Sequence, residues 1–271
     1  MDSSPAQPRP PLHKRLAAQL GWNRASYTLM SLFIAIIALI LIVWWPLVEE
    51  YAAYFDPAYP LWMQLDWLLL GIFAAMSLLI MAGADLRRDA WIAFIGLCGG
   101  LVIESWGTQT LLWTYYTQER PPLWIIPAWP IASLSIDRLT RLLNRALPQQ
   151  PGVYRWLYAP VFAAFYLLML AFVWPTRAQS LTVLALLACA LLIFAPADRR
   201  LMLLTFAAGS ALGYFLERWG TTRACWTYYT GQTPPVFAVF AHGLAAVAFW
   251  RAGQLLQHFW LRWRKIKPAG G

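Results

Sequence analysis

Long apolar runs separated by short basic clusters constrain this chain more than any other feature. Several runs reach or approach the roughly 20 residues that a helix needs to cross a bilayer. Composition closes off the alternative. With 60% hydrophobic and 12% charged residues in a chain of 271, a soluble fold could not cover its apolar side chains with polar surface. Mean hydropathy is +0.52. A soluble enzyme, a disordered chain and a disulfide scaffold are excluded.

The expected fold is all-α, a polytopic transmembrane helix bundle. Eight spans are expected, at about 26–48, 61–82, 90–107, 123–138, 154–174, 179–196, 201–220 and 236–256. The basic residues then sort by side. Seventeen of the 21 Lys and Arg fall on the side of the tails and even-numbered loops, and four (Arg120, Arg177, Arg218, Arg223) on the other. The positive-inside bias places both termini in the cytoplasm of a multi-pass inner-membrane protein. The net charge of +9 is therefore orienting charge, and no nucleic acid is expected. Residues 1–25 are polar, Pro-rich and basic, and the run after them is too long for a signal-peptide core, so it is expected to stay as an anchor. Three scattered cysteines (Cys98, Cys189, Cys225) make neither a disulfide framework nor a metal site, and read as small apolar fillers. Cys225 is expected nearest the surface.

The chain also resembles itself. Residues 104–122 (ESWGTQTLLWTYYTQERPP) and 217–235 (ERWGTTRACWTYYTGQTPP) are identical at 11 of 19 positions with an offset of 113. Chance gives roughly one, so the expectation is a duplication. Four helices per copy is an even number, so two parallel four-helix repeats are expected, 26–138 and 154–256, joined by a linker at 139–153 and flanked by basic tails at 1–25 and 257–271.

Spacing indicates what the motif does. Gly96, Gly100, Glu104 and Gly107, like Gly209, Gly213, Glu217 and Gly220, are separated by four, four and three residues. That keeps each set on one helix face, with glycines where another helix can approach. Each glutamate then faces the protein interior, about 20 Å along its helix. The two glycine faces are expected to meet each other around a pseudo-twofold axis. An ionisable group at this depth is costly and marks a candidate site. Asp66 and His242 are expected at the same level, and Asp66 is expected to pair with Arg218. Glu104, Glu217, Asp66 and His242 are the candidate catalytic residues. Trp106, Trp113, Tyr115, Tyr116, Trp219, Trp226, Tyr228, Tyr229 and Arg218 are the candidate ligand-binding residues, since aromatic faces beside carboxylates suit a cation or a flat apolar molecule. Glu217 is expected to be the charged, more important member of the pair, with Arg218 and His242 as its neighbours. Glu104, with Ser105 and Trp129, is expected to be a proton carrier.

No metal is expected, because the four titratable groups lie on different helices without a ligand motif. No cofactor fingerprint occurs. Three functions remain open. The first is handling of a lipophilic, isoprenoid-like ligand or membrane lipid, with a buried glutamate as general acid. The second is a proton-coupled transporter or flippase. The third is an assembly subunit for another membrane protein.

Overall fold

The computed structural model describes residues 15, 17, 18 and 20–266. The tail charges Arg9, Lys14 and Lys267 lie outside those residues. The fold is all-α, with ten α-helices among the described residues: α1 Arg24–Val43, α2 Trp45–Ala52, α3 Leu61–Gln64, α4 Trp67–Met81, α5 Leu86–Gln109, α6 Ala128–Ala146, α7 Pro151–Val173, α8 Ser180–Phe194, α9 Arg199–Thr222 and α10 Val236–Ile266. Two three-residue strands, β1 Trp113–Tyr115 and β2 Trp226–Tyr228, follow α5 and α9. Four helices (α1, α5, α10, and α7 with the turn after it) are long and apolar enough to cross a membrane, and α4 and α8 are shorter apolar helices.

Several boundaries differ from the sequence expectation for local reasons. The run 26–48 breaks at Trp44, because Pro46 has no amide to continue the ladder and instead opens α2. The run 61–82 divides at Asp66, whose carboxylate accepts the Leu69 amide and so starts α4 there. Asp66 is thus a cap, not a mid-helix group. Residues 139–146 are helical, and only a short stretch around Leu147–Gln150 separates α6 from α7. The helix α10 continues past 256 into the expected tail.

Four helices form the centre. The α5–α6 and α9–α10 hairpins pack side by side, α9 against α6 and α10 against α5. The helix α4 leans on α6 and α9 with α1 outside it, while α7 covers α9 and α10 with α8 outside that. The main apolar cluster lies between α7, α9 and α10, around Phe162, Phe165, Met202, Phe206, Phe237 and Val247. The glycine faces do not meet each other. Gly96 and Gly100 lie under Ser133 and Trp129 of α6, and Gly209 and Gly213 lie under His242 and Gly243 of α10. Each glycine row therefore brings its own hairpin together.

At the basic end, Arg138 is not a loop charge. It is buried, and it bonds the equally buried Asp89 and also Asp137. Asp137 in turn holds Arg88 and Arg141. This cluster ties α5 to α6. At the opposite end, β1 and β2 pair antiparallel, with Trp113 opposite Tyr228, Thr114 opposite Thr227 and Tyr115 opposite Trp226. Exchanging each residue i with i+113 maps this register onto itself, and Trp113, Tyr115, Trp226 and Tyr228 share one face of the ribbon.

Candidate functional site

The turn that ends α5 explains the spacing of the motif. Leu111 takes a left-handed conformation (φ 60°), its amide bonds the Thr108 carbonyl, and the Leu112 amide bonds the Gly107 carbonyl at 3.0 Å. This double bond pattern is a Schellman cap. At the end of α9, Ala224 (φ 52°) and Cys225 repeat it onto Thr221 and Gly220. The cap turns the chain back across the helix end. Trp113 then lies flat on Gly107, and Trp226 on Gly220, where any Cβ would occupy the indole's place. From there each indole N–H reaches the glutamate one turn further along.

Glu104 accepts three hydrogen bonds. Trp113 Nε1 (3.0 Å) and Tyr115 O–H (2.9 Å) donate to Oε2, and Trp129 Nε1 (3.2 Å) donates to Oε1. Glu217 is held similarly. Trp226 Nε1 donates to Oε2 at 3.0 Å, Tyr228 O–H donates to Oε1 at 2.9 Å, and His242 Nε2 lies 2.9 Å from Oε1. Both glutamates are only 4% exposed. A carboxylate offers about four acceptor positions, so three donors nearly saturate it, and this offsets much of the cost of burial. Among the described residues no Lys or Arg ion-pairs with either glutamate, and the one side chain able to bring a positive charge to them is His242. His242 stacks on Trp129 at 5.6 Å, so the third ring contacted by each carboxylate also touches its counterpart. The ribbon aromatics interleave as well: Trp113 lies 5.9 Å from Tyr228, and Tyr115 lies 5.8 Å from Trp226. The result is one continuous aromatic lid over two carboxylates.

The other candidates lie around this lid. Trp106 and Trp219 each pack edge-on against the ribbon tryptophan of their own segment. Trp106 Nε1 donates to Thr182, and Trp219 Nε1 donates to Asp66 at 2.8 Å. Asp66 is therefore separated from Glu217 by two tryptophans, Trp219 and Trp226. Its ion-pair partner is Arg223 (3.0 Å), not Arg218. Arg218 is exposed and donates to the Thr233 carbonyl. The expected cation beside Glu217 is thus not Arg218. Tyr229 O–H donates to the Phe172 carbonyl at 2.6 Å, and Tyr116 is half-exposed beside Trp124. Burial taken alone would raise the Asp66 carboxyl, but the Leu69 amide, Arg223 and Trp219 together hold it below its ordinary value. Cys98, not Cys225, is the exposed cysteine. Burial pushes the Cys225 thiol up to about 11, which leaves it a poor nucleophile.

Trp124 was not singled out by the sequence reasoning. It packs on Tyr115 at 5.5 Å and Tyr116 at 6.3 Å. Its other side lines an apolar cleft of about 310 Å³ with Ile40, Trp44, Val48, Tyr51 and Leu69. The only hint in the sequence is that the offset of 113 places Phe237, also aromatic, opposite it. No cluster of three or more His, Cys, Asp or Glu side chains able to hold a metal occurs among the described residues. No protein-family model, curated protein or solved structure matches the chain.

Proposed function

We propose that this is an eight-segment inner-membrane protein, built as two parallel four-helix repeats with both termini on the basic, cytoplasmic side, that binds a lipophilic, isoprenoid-like ligand. The sequence offset of 113 and the self-mapping register of the ribbon support the repeat. The helices α6 and α9 are less apolar than the other long helices because they pack among protein neighbours more than against lipid.

One observation carries the ligand reading: the cleft faced by Trp44, Tyr51 and Trp124. Its lining is aromatic and aliphatic, and it lies at the depth of the ribbon. A volume of about 310 Å³ sits at the lower end of small-molecule sites. It accommodates a ring or a short isoprenoid stretch, with the rest of the molecule lying in lipid. Glu104 serves this site through its wall: the carboxylate fixes Tyr115, and Tyr115 packs against Trp124. The test is mass spectrometry of lipids extracted from the purified protein, with quenching of tryptophan fluorescence by an added polyene or quinone. Trp124→Ala lowers both signals severalfold, whereas Trp91→Ala, near the opposite end of α5 from the ribbon, leaves them unchanged. Absence of any isoprenoid in the extract together with absence of quenching sinks the reading.

Proton-coupled transport is the second reading, and the His242–Glu217 pair favours it because it places a titratable histidine inside the bundle. Its test is pH-driven flux in proteoliposomes, abolished by His242→Phe.

A further inference from the structure

A second, chemically different cavity lies at the basic end of the bundle. It measures about 690 Å³ and sits where α7 begins, α8 ends and α9 begins. Asn144, Tyr154, Arg155, Asp198, Arg199 and Arg200 line it. Three guanidinium groups against one carboxylate leave a net charge of +2. Asp198 is already committed, since it caps α9 by accepting the Leu201 amide at 3.0 Å. No salt bridge among the described residues involves Arg155, Arg199 or Arg200.

The arginines are differently held. Arg200 is fixed: it donates to the Asn144 side chain and to the carbonyls of Asn144 and Leu147, and it stacks 5.2 Å over Tyr154. Arg199 lies 5.7 Å over the Tyr158 ring, and Arg155 makes no side-chain hydrogen bond among the described residues. Two helix N-termini open at the cavity: α7 begins at Pro151, which has no amide, and its Val153 amide already bonds the Gln150 carbonyl, whereas at α9 the Asp198 side chain caps only the Leu201 amide and leaves the positive end of that helix facing the cavity. Planar guanidinium donors and helix amides together match a phosphate oxyanion.

The surroundings indicate how the phosphate arrives. Trp156 follows Arg155, and Phe194 ends α8 next to Pro196; both side chains are 83% exposed. Exposed aromatics beside a basic pocket at helix ends form the boundary between head groups and acyl chains. We propose that this cavity binds the phosphate head group of an anionic membrane lipid, whose chains run along Trp156 and Phe194. The site requires the membrane placement proposed above, but not the cleft at the ribbon end.

The test uses the full chain in nonionic detergent, with lipid adducts read by native mass spectrometry. Wild-type protein retains phosphatidylglycerol in preference to phosphatidylcholine. The double variant Arg155→Gln/Arg199→Gln weakens phosphatidylglycerol retention about twenty-fivefold, taking each arginine as worth about fivefold near a lipid surface. Arg155→Gln alone gives about fivefold and serves if the double variant does not fold. Trp124→Ala leaves the adducts intact, which separates this site from the cleft. Three results overturn the proposal: equal retention of the two lipids by wild-type protein, the same loss on Arg251→Gln elsewhere on the bundle, or displacement of the lipid by millimolar inorganic phosphate.

Discussion

Glu104→Gln destabilises the protein more than Glu217→Gln, and the reason lies in which partners can accept a hydrogen bond. Either substitution replaces one carboxyl oxygen by an NH2 group, a change common to both sites. The new amide must also aim its NH2 at one side of the old carboxylate. At Glu104 either orientation meets an indole N–H, Trp129 on one side or Trp113 on the other. Indole only donates, so a buried donor is left unpaired. At Glu217 the amide oxygen can take the Trp226 indole while the NH2 faces Tyr228 and His242, both of which can accept. An unsatisfied buried donor costs about 1–3 kcal/mol. At roughly 2–4 °C per kcal/mol for a chain of this size, Glu104→Gln melts roughly 2–12 °C below Glu217→Gln. Thermal unfolding in detergent, followed by tryptophan fluorescence after size-exclusion selection of folded material, reads this gap. Adding Trp129→His to Glu104→Gln supplies an acceptor and narrows it. Equal melting temperatures, or a lower one for Glu217→Gln, refute the reasoning.

Four further outcomes are expected. Gly107→Ala or Gly220→Ala abolishes recovery of monodisperse protein, because the new methyl occupies the place of the Trp113 or Trp226 indole, whereas Gly71→Ala, which meets nothing, raises the melting temperature slightly. Ala224→Gly relieves a left-handed alanine and stabilises by about 1 kcal/mol, seen as a melting shift of about 2–4 °C. Asp66 sits outside the helix it caps with its carboxyl held low, so its contribution is full above the unfolded value near 3.9 and is lost as pH falls through the folded value. The melting gap between wild type and Asp66→Asn therefore closes as pH falls below the ordinary carboxyl value, and a pH-independent gap contradicts that assignment. Reporter fusions at residues 55, 118, 177 and 230 all report the non-cytoplasmic side if the bundle has eight segments.

The all-helical class was legible because hydropathy is a sum over many residues and tolerates local error. The glutamates' interior position was legible from glycine spacing, since periodicity fixes a face. It does not fix the neighbour on that face, and so Gly100 meets Trp129 while Gly213 meets His242, not each other. The breaks at Trp44 and Asp66 depend on one proline and one capping carboxylate, each hidden inside an apolar run. The strands were unreadable: three residues carry no measurable alternation, and the partner of each lies in the other segment. The partner of Asp66 was missed for the same reason. Sequence adjacency singled out Arg218, but the turn after α9 directs Arg223 to Asp66.

The ribbon has a consequence for biogenesis. Trp113 leaves the ribosome 113 residues before Trp226, the first residue of the strand that pairs with its own. At about 5–20 residues per second that interval is on the order of ten seconds. During it the number of completed segments, of the eight proposed, rises from three to seven, yet the β1 backbone has no hydrogen-bonding partner and Glu104 has only half of its eventual lid. Closure of that surface is thus a late, post-insertional event, and a nascent chain stalled between residues 150 and 220 presents an open strand edge to whatever insertion factor or chaperone attends it.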